Sequence, residues 1–371
     1  MAAALALATT AFFMPLFLKQ DLGFSGRQIG LLYAFFSLTS IFTSFPFGLA
    51  SDRIPARNLV VLALFFMGVS LLSQSILRSF ILFLGAYLIY GLGLNLFRVS
   101  LDALLLKSLP RKVAKTYGLF NGARMLGFTI GGLLGGILLQ RYDFVSTLRT
   151  VGCFYFLLTI IWFLLPSTIT ARFRVKTYWH DFRDPKVFLF AIWLYLFYLH
   201  WGAEFTSYGL FLREDLGLSL IGMGLYMSAE FFVVGLASVT GGLLLDKGKD
   251  LYRMAALGLL CSGLGHMGMV IKYIPVSLAF RLLHGFGDGT IMVLSYVGIA
   301  KLFRIERIGG NSGLITLAIM LGNFTGALIF GPLGAKMGYG VPLFVSGAIT
   351  LALIPVVFLP RFREMSHQKG L

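Results

Sequence analysis

The sequence predicts an all-α integral membrane protein with twelve transmembrane helices in two parallel-repeat six-helix bundles. Of its 371 residues, 58% are hydrophobic and only 12% are charged, whereas a soluble domain carries about 25% charged residues. The mean hydropathy is +0.86, and a water-soluble protein this apolar would expose more apolar surface than solubility tolerates. Apolar runs of membrane-spanning length follow one another along the chain, and its two halves repeat.

Each predicted helix is an apolar run between polar or basic loops. A helix that spans a bilayer needs about 20 mostly apolar residues, and twelve runs meet that requirement. In chain order, helices 1 to 12 are predicted at 1–18, 28–50, 58–77, 80–106, 116–139, 147–165, 187–212, 221–245, 254–274, 276–303, 309–335 and 341–359. The two cysteines, Cys153 and Cys261, lie in separate runs and indicate neither a disulfide nor a metal site.

The residues responsible for the net charge of +16 lie mainly in the loops between the predicted helices. Most of the 31 Lys and Arg residues lie in the loops after helices 2, 4, 6, 8 and 10 and in the C-terminal tail. Because loops rich in Lys and Arg stay in the cytoplasm, we expect both termini to be cytoplasmic in a multi-pass protein of the cell (inner or plasma) membrane. The basic excess is then a topology signal, so the lipid bilayer is an expected partner and nucleic acid is not.

A polar stretch from Pro166 to Pro185 separates six helices from six. The predicted units are an N-terminal bundle over 1–165, a cytoplasmic linker over 166–186, a C-terminal bundle over 187–360 and a cytoplasmic tail over 361–371. We expect the protein to work as a monomer.

An offset of 194 residues aligns the two halves without a gap. It pairs 14–32 with 208–226, and it pairs Gly48 and Asp52 with Gly242 and Asp246. Six helices per repeat is an even number, so both halves insert in the same orientation and are related by an axis along the membrane normal. This arrangement predicts a substrate site at the interface near the midplane, with alternating access by rocking of the halves.

The offset also concerns the start of helix 1. Helix 7 begins near Val187, so its counterpart in helix 1 would begin several residues before Met1. We therefore expect helix 1 to be truncated on its cytoplasmic side and the native chain to start upstream. The alternative is a short first helix, which is still long enough to span a bilayer.

The loop after helix 2 carries a recognisable motif. The segment GLASDRIPAR (48–57) resembles the G-x-x-x-D-R-x-x-x-R loop of the major facilitator superfamily, and GLLLDKGKD (242–250) is a degenerate copy. We expect Gly48 to let helices 2 and 11 pack closely and Asp52 to cap or pair with a neighbouring helix end. The resemblance implies a conformational gate made of Gly48, Asp52, Arg53, Arg57 and Asp246. Simple anchoring of the loop by its arginines is the alternative.

Two further segments resemble motifs of the superfamily. GFTIGGLLGG in helix 5 is similar to its antiporter motif, with a glycine in place of the proline, and its small residues favour close helix packing in any case. These glycines are Gly127, Gly131, Gly132, Gly135 and Gly136. RLLHG in helix 10 (281–285) is similar to a motif of helix 4 linked to proton coupling, whereas helix 4 has Tyr87 at the arginine position. The pattern is closest to proton-linked multidrug-type exporters.

Ionisable residues at membrane depth are functional candidates, because each costs several kcal/mol to insert. His200 and Glu204 are four residues apart and share a face of helix 7. We expect Glu204 to be a proton-coupling or substrate-binding acid with His200 as its partner; the alternative is a structural hydrogen-bonded pair. Arg281, His284 and Asp288 form one stripe on helix 10 that either binds a charged solute or forms an internal salt bridge.

The remaining polar residues of the helices are harder to orient. Arg98 and Asp102, four residues apart on helix 4, are predicted to form a gate or interface pair. Tyr87 belongs to the aromatic residues of helices 4 and 7 that would line a pocket for an amphiphilic or aromatic solute. Arg124 and Glu230 have no predicted orientation. His266 lies on helix 9, which the resemblance implies to be peripheral.

These features predict a carrier rather than an enzyme. The sequence contains no Walker loop, zinc-ligand spacing or nucleophile elbow, so we expect no cofactor and no metal. The predicted function is proton-coupled export of a small organic compound by alternating access, with amphiphilic compounds among the candidates. The alternatives are uptake or uniport of a small organic anion, favoured by Arg98, Arg124 and Arg281, and a lipid or lysolipid flippase on the same fold.

Overall fold

The computed structural model of the protein describes residues 1–107, 113–165, 181, 183–304 and 307–367, and all regular structure in these ranges is helical. The N-terminal half has six long helical segments. In order, they are α1 (Ala2–Asp21), α2 (Gly26–Arg53), α3 (Ala56–Ile76), α4 (Phe80–Lys107), α5 (Val113–Arg141) and α6 (Phe144–Phe163).

The C-terminal half has the same order of segments, followed by a short helix at the end of the chain. They are α7 (Pro185–Tyr208), α8 (Leu220–Asp246), α9 (Leu251–Gly268), α10 (Ile274–Leu302), α11 (Ile308–Met337), α12 (Gly340–Phe358) and α13 (Pro360–His367).

Eleven of the long segments are long and apolar enough to cross a membrane. The twelfth is α9, whose 18 residues include Arg253 and His266 and are therefore less apolar. Helix 9 was predicted to continue to residue 274, but α9 ends at Gly268 and α10 begins at Ile274. Pro275 occupies the first turn of α10, the position where a helix tolerates proline. The predicted all-helical membrane fold is confirmed.

The repeat extends to details of the backbone. Gly23 and Gly217 both adopt the left-handed conformation, with φ of 68° and 66°, which only glycine enters without strain. Two residues later, Ser25 and Ser219 both cap the following helix. Before each glycine lies a π-helical turn, Phe17–Asp21 in one half and Phe211–Asp215 in the other. All three pairs are separated by 194 residues.

The helices of the two halves also pack in equivalent ways. In the first half α3 packs against α4 and α6, and α1 packs against α5. In the second half α9 packs against α10 and α12, and α7 packs against α11. The halves meet through α5 with α8 and α2 with α11, as expected for parallel repeats. The boundaries given for the halves, 1–165 and 187–360, stay predictions.

The glycines of α5 lie at two helix interfaces. A Cβ at Gly127, Gly131 or Gly135 would meet the backbone of α1. Gly132 and Gly136 face the other half, where an added Cβ would lie 3.1 Å from Ser228 Oγ and 3.0 Å from the carbonyl oxygen of Leu220 on α8. Since two faces of α5 carry glycines, this helix packs closely against its own bundle and against the opposite one.

The bundles meet closely at the end where α2 ends and α11 begins, named here the basic end; the loop charges predict it to be cytoplasmic. Asp52 accepts hydrogen bonds from the backbone N–H groups of Gly309 (3.2 Å) and Gly310 (2.8 Å), at the start of α11. Lys107 Nζ lies 2.8 Å from the same carboxylate. A Cβ at Gly48 would collide with the carbonyl oxygen of Gly309.

The equivalent contact joins α8 to α5. Asp246 accepts a hydrogen bond of 2.9 Å from the backbone N–H of Lys115, and a Cβ at Gly242 would collide with the carbonyl oxygen of Ala114. A carboxylate from each half thus caps a helix of the other half, where the positive end of the helix dipole favours an anion. The basic end is closed by two related contacts.

The arginines of the motif A-like loop lie beside this contact. Arg57 donates a hydrogen bond of 3.1 Å to the carbonyl oxygen of Leu165, so it joins the loop to the end of α6. Arg53 is the last residue of α2.

The linker predicted over 166–186 lies mostly outside the described residues. Its described part includes Asp181, which makes hydrogen bonds of 2.9 and 2.7 Å with Arg307 and accepts one of 2.8 Å from Asn311. The tail predicted over 361–371 begins instead as the helix α13. It forms because Phe362 is buried against Trp193, with ring centroids 5.2 Å apart.

Candidate functional site

Seven ionisable side chains from four helices meet inside the C-terminal bundle, and this group is named here the His–carboxylate cluster. The members are His200 and Glu204 of α7, Glu230 of α8, His266 of α9, and Arg281, His284 and Asp288 of α10. Six of them are buried, and Glu204 is 17% exposed. Such a concentration of charge in an apolar bundle is costly and is typically functional.

The two cluster members on α7 contact different partners. Regular α-helix ends at Phe197, resumes over Leu199–Ala203 and changes to a π-helix over Glu204–Tyr208, and such turns occur frequently at functional sites. His200 and Glu204 were predicted as partners from their i, i+4 spacing. In the structure His200 lies 3.2 Å from Asp288 Oδ2, whereas Glu204 contacts Arg281 and His284.

Arg281 occupies the part of the cluster nearest α8. Its side chain is 1% exposed, its Nη1 contacts Glu204 Oε1, and its Nη2 lies 2.5 Å from Glu230 Oε2. The guanidinium carbon lies 4.0 Å from the centroid of the Tyr208 ring, a cation–π distance. Two carboxylates and an aromatic face therefore stabilise one buried cation.

Asp288 is held by donors from two other helices. Its Oδ2 accepts a hydrogen bond of 2.9 Å from the Trp201 indole and lies 3.2 Å from His200 Nε2. Its Oδ1 accepts one of 2.8 Å from the Ser262 hydroxyl of α9. The stripe predicted on α10 is thus an internal network, in which Asp288 points to α7 and α9 while Arg281 points to α7 and α8.

Two histidines connect these groups through Glu204. His284 Nε2 lies 2.9 Å and His266 Nε2 lies 3.5 Å from Glu204 Oε1. The two imidazoles are stacked, with ring centroids 4.5 Å apart. His284 Nε2 is also 3.6 Å from Asp288 Oδ2. Glu204 and Asp288 therefore belong to one continuous network.

His266 points inward from α9, because its side chain is fully buried and its Nε2 lies 3.5 Å from Glu204 Oε1. Helices α9 and α10 approach closely here, since a Cβ at Gly265 would collide with the backbone of His284. The glycines on either side of His266 in GLGHMG were the sequence signal of this approach. Glu230, which sequence alone did not orient, is the second partner of Arg281.

The N-terminal bundle contributes a second polar group beside the interface. Asp102 lies near Arg98 and Arg124, and its backbone carbonyl accepts a hydrogen bond of 3.1 Å from the Tyr296 hydroxyl of α10. The rings of Tyr296 and Tyr117 are stacked across the interface, with centroids 3.6 Å apart. These residues lie where the two bundles meet.

Tyr87 does not join either group. It is buried in the N-terminal bundle, where its ring packs against Tyr33 and Phe36 of α2, with centroids 5.9 and 5.2 Å apart. Its ring therefore contributes to packing between α2 and α4.

The family model described as Major Facilitator Superfamily matches residues 1–250 and 196–370, which together cover nearly the whole chain. The chain belongs to the major facilitator superfamily. The fold expected from the resemblance agrees with this membership, and the protein is a non-enzymatic membrane carrier of small molecules.

Relatives of this superfamily member include transporters of known and unknown role. It is 22% identical over 368 residues to the quinolone resistance protein NorA of Staphylococcus aureus (strain MSSA476), covering 94% of this chain and 91% of that one. It is 22% identical over 329 residues to the uncharacterized MFS-type transporter MJ1560 of Methanocaldococcus jannaschii, covering 86% and 85%.

A solved structure supports the fold. The crystal structure of the human organic anion transporter MFSD10 (TETRAN) matches with a TM-score of 0.72, covering 96% of this chain and 97% of that one. Sequence identity is 17%, so the likeness concerns the superfamily fold alone.

Proposed function

We propose that this protein exports a small, amphiphilic organic compound in exchange for protons, by alternating access and without a cofactor. The observation that carries the proposal is the charge of the His–carboxylate cluster. The cluster contains three carboxylates, those of Glu204, Glu230 and Asp288, and one guanidinium, that of Arg281, which contacts Glu204 and Glu230. With neutral imidazoles the buried group therefore has two negative charges in excess. Because burying uncompensated charge costs several kcal/mol per ion, the cluster requires added cations, and protons on carboxylates or imidazoles supply them.

Glu204 is the proposed entry point for these protons. Its carboxylate is the most exposed of the cluster. Its direct neighbours are Arg281, His284 and His266. Protonation of Glu204 would weaken its contact with Arg281, and charge would then redistribute toward Glu230. A change of this kind biases a two-state equilibrium only if the two transport states hold the proton with different affinity.

Trp201 offers a connection between the cluster and a solute. Its indole N–H donates to Asp288 at 2.9 Å, while its ring packs with Met125 of α5 and Met292 of α10 between the bundles. A solute bound at the interface would contact this ring. Its position would therefore depend on the protonation of Asp288, which changes the indole hydrogen bond.

The surroundings of Trp201 favour an amphiphilic solute. Phe128 of α5 and Phe12 of α1 both stack with Phe231 of α8, with centroids 5.1 and 5.2 Å away, and lie 6.2 Å from each other. Methionine and aromatic side chains adapt to apolar ligands of varied shape. Export is supported by the glycine motif of α5 and by the name of the relative NorA, a quinolone resistance protein.

Transport of an organic anion is the second candidate. Within the described residues, the buried Nε atoms of Arg98 and Arg124 have no hydrogen-bond partner. Arginine binds a carboxylate in bidentate fashion, so these two side chains would suit an anionic group on the solute.

The test is transport by purified protein in liposomes that contain the pH indicator pyranine. A cationic dye (ethidium), a neutral dye (Nile red) and an anionic dye (carboxyfluorescein) are supplied under an imposed pH gradient of either sign. We expect ethidium or Nile red to move against the proton flux and to change the internal pH. Dye movement that ignores the pH gradient would contradict proton exchange, and exclusive movement of carboxyfluorescein would favour the second candidate.

A further inference from the structure

The three imidazoles of the His–carboxylate cluster are all held through Nδ1. His200 Nδ1 lies 2.5 Å from the carbonyl oxygen of Phe197, and His284 Nδ1 lies 2.9 Å from that of Ser262. A carbonyl oxygen only accepts, so both Nδ1 atoms carry the proton. In a neutral imidazole the other nitrogen, Nε2, then has an unprotonated lone pair.

His266 follows the same pattern through a hydroxyl. Its Nδ1 lies 3.1 Å from Ser346 Oγ, and that hydroxyl donates to the carbonyl oxygen of Leu343 at 3.1 Å. The hydroxyl oxygen is therefore the acceptor for Nδ1–H of His266. All three imidazoles present an Nε2 lone pair to the interior of the cluster.

Each of these nitrogens faces a carboxylate oxygen. The distances are 3.2 Å from His200 Nε2 to Asp288 Oδ2, 3.6 Å from His284 Nε2 to the same atom, and 2.9 Å from His284 Nε2 to Glu204 Oε1. Two acceptors facing each other repel unless a cation lies between them. His266 and His284 are fully buried, and their Nε2 atoms lie 3.5 and 2.9 Å from the same carboxylate oxygen, Glu204 Oε1.

The same geometry suits a metal ion. Zinc binds His nitrogen at about 2.0–2.1 Å and carboxylate oxygen at about 2.0–2.2 Å in a tetrahedron, so neighbouring ligand atoms are about 3.3 Å apart. The separations of 2.9 to 3.6 Å in the cluster bracket this value. Metal-binding histidines almost always donate their other N–H to a carbonyl, carboxylate or water, as His200 and His284 do here.

We propose that the His–carboxylate cluster binds one divalent transition-metal ion of the zinc class, with His200, His284 and Asp288 as its protein ligands. Two triads of the cluster have ligand atoms within 4.8 Å of one another, His200–His284–Asp288 and Glu204–His266–His284, and both need His284. A single Nε2 serves one ion, so the cluster holds one. The site is additional to the proposed function and does not depend on it.

The charged neighbours favour a position of the ion beside Asp288 over one between Glu204 and His266. Arg281 contacts Glu204 Oε1 and would repel a cation placed between Glu204 and His266. The Asp288 side of the cluster is farther along α10 from this guanidinium. With the ion there, Asp288 and Glu204 balance its two positive charges, while Glu230 balances Arg281 at 2.5 Å. The buried group becomes neutral, as it does when two protons bind.

This site escapes detection by sequence spacing. His284 and Asp288 are an i, i+4 pair on α10, but His200 comes from α7, more than 80 residues earlier. No short Cys or His motif marks such a set. Imidazole ligands favour zinc, copper, nickel and iron, whereas magnesium and calcium prefer oxygen ligands, so the site is expected to discriminate between these classes.

The test is calorimetric titration of the purified, full-length protein with ZnCl2 and, separately, with MgCl2. The affinity tag should contain no histidine, and metal is first removed with a chelator. We expect saturable binding of one Zn²⁺ per chain, a rise in Tm with zinc, and no response to magnesium. Absence of a one-to-one zinc isotherm would overturn the proposal.

Variants locate the ion. His284→Gln and Asp288→Asn are expected to abolish the isotherm, whereas His266→Gln and the tail variant His367→Gln are expected to retain it. Zinc binding unchanged in His284→Gln would also overturn the proposal. If a cluster variant fails to fold, the visible absorption of Co²⁺ bound to the wild-type protein shows whether the cluster holds the metal. Tetrahedral His coordination gives intense visible bands that octahedral or adventitious coordination lacks. Transport is not measured, so a failure here is distinct from a failure of proton exchange.

Discussion

His284 Nε2 lies 2.9 Å from Glu204 Oε1, and this contact joins the carboxylates of Glu204 on α7 and Asp288 on α10 into one network. Through it the charge on Glu204, the partly exposed member, acts on Asp288 and on the indole of Trp201. The arrangement connects the proposed proton entry with the interface between the bundles.

Arg281→Met is expected to destabilise the protein strongly. The substitution leaves Glu204 and Glu230 buried without their shared cation, and breaking a buried ion pair costs about 3–5 kcal/mol. The measurement is a thermal unfolding scan of purified protein. The exposed Arg253, whose Asp250 partner lies 3.2 Å away, supplies the control Arg253→Met, for which about 0–1 kcal/mol is expected.

A double variant distinguishes charge balance from packing. Arg281→Met with Glu230→Gln removes one cation and one anion, so it should recover part of the lost Tm, by the logic of a double-mutant cycle. A double variant no more stable than Arg281→Met alone would mean that Glu230 does not balance this arginine.

Trp201→Phe is expected to reduce coupling while solute binding is largely kept. Phenylalanine retains an aromatic ring between the bundles but loses the N–H that donates to Asp288. The measurement is protons moved per dye molecule in pyranine-loaded liposomes. Trp193→Phe is the matched control, because Trp193 lies on the same helix in a packed core and its indole N–H has no hydrogen-bond partner within the described residues. Equal coupling ratios in both variants would remove Trp201 from the mechanism.

Gly48→Ala is expected to open the basic end and to impair transport. Its Cβ would collide with the carbonyl oxygen of Gly309, a backbone atom that cannot turn away, so α2 and α11 must separate. Gly85→Ala on α4 is the control, since nothing lies within 4 Å of its new Cβ; alanine there should be neutral or stabilise the helix by about 0.5–1 kcal/mol. Dye transport and Tm report both outcomes.

Asp52→Ala is expected to favour states in which the basic end is open. It removes the cap on α11 and the contact with Lys107, and loss of a helix cap costs about 0.5–2 kcal/mol. The readout is the rate of thiol labelling of a reporter cysteine at Ser44, a buried residue of α2 beside Gly313 of α11, in a protein without Cys153 and Cys261. Labelling should accelerate several-fold, because a free-energy change of about 1.4 kcal/mol shifts an equilibrium about tenfold.

The control for this experiment is another helix cap. Asp143 accepts a backbone hydrogen bond from Ser146 at the start of α6, away from the basic end. Asp143→Ala should therefore leave labelling at Ser44 unchanged. Equal acceleration in both variants would show that general destabilisation, rather than closure by Asp52, controls access.

The helices, the repeat and the motif loop followed from sequence because each depends on local composition or on a register. Apolar runs of sufficient length leave few alternatives to a membrane helix, and the 194-residue offset also placed the glycine turns and serine caps that the backbone contains. The contacts between individual side chains were harder to predict from sequence. His200 contacts Asp288, whereas Glu204 contacts Arg281 and His284, and the spacing of residues along α7 alone does not determine these partners on α10.

The helices that carry the cluster give a second reason why its contacts could not be predicted from sequence. His266 and Glu230 come from helices whose inward faces cannot be identified when nearly every side chain is apolar, since the usual amphipathic signal is weak in a buried helix. The close approach of α9 to α10 depends on glycines whose role emerges only when both helices are packed. Sequence reasoning thus found five of the seven cluster residues as candidates and misjudged which of them pair.

The most direct test of proton exchange compares Glu204→Gln with Glu214→Gln in pyranine-loaded liposomes. Each change removes one carboxylate. Glu214 is exposed, in the π-helical turn Phe211–Asp215, whereas Glu204 contacts Arg281 and His284 inside the cluster. We expect Glu204→Gln to abolish proton movement driven by dye and Glu214→Gln to retain it. Full proton movement with an unchanged pH dependence in Glu204→Gln would show that Glu204 does not carry the exchanged proton.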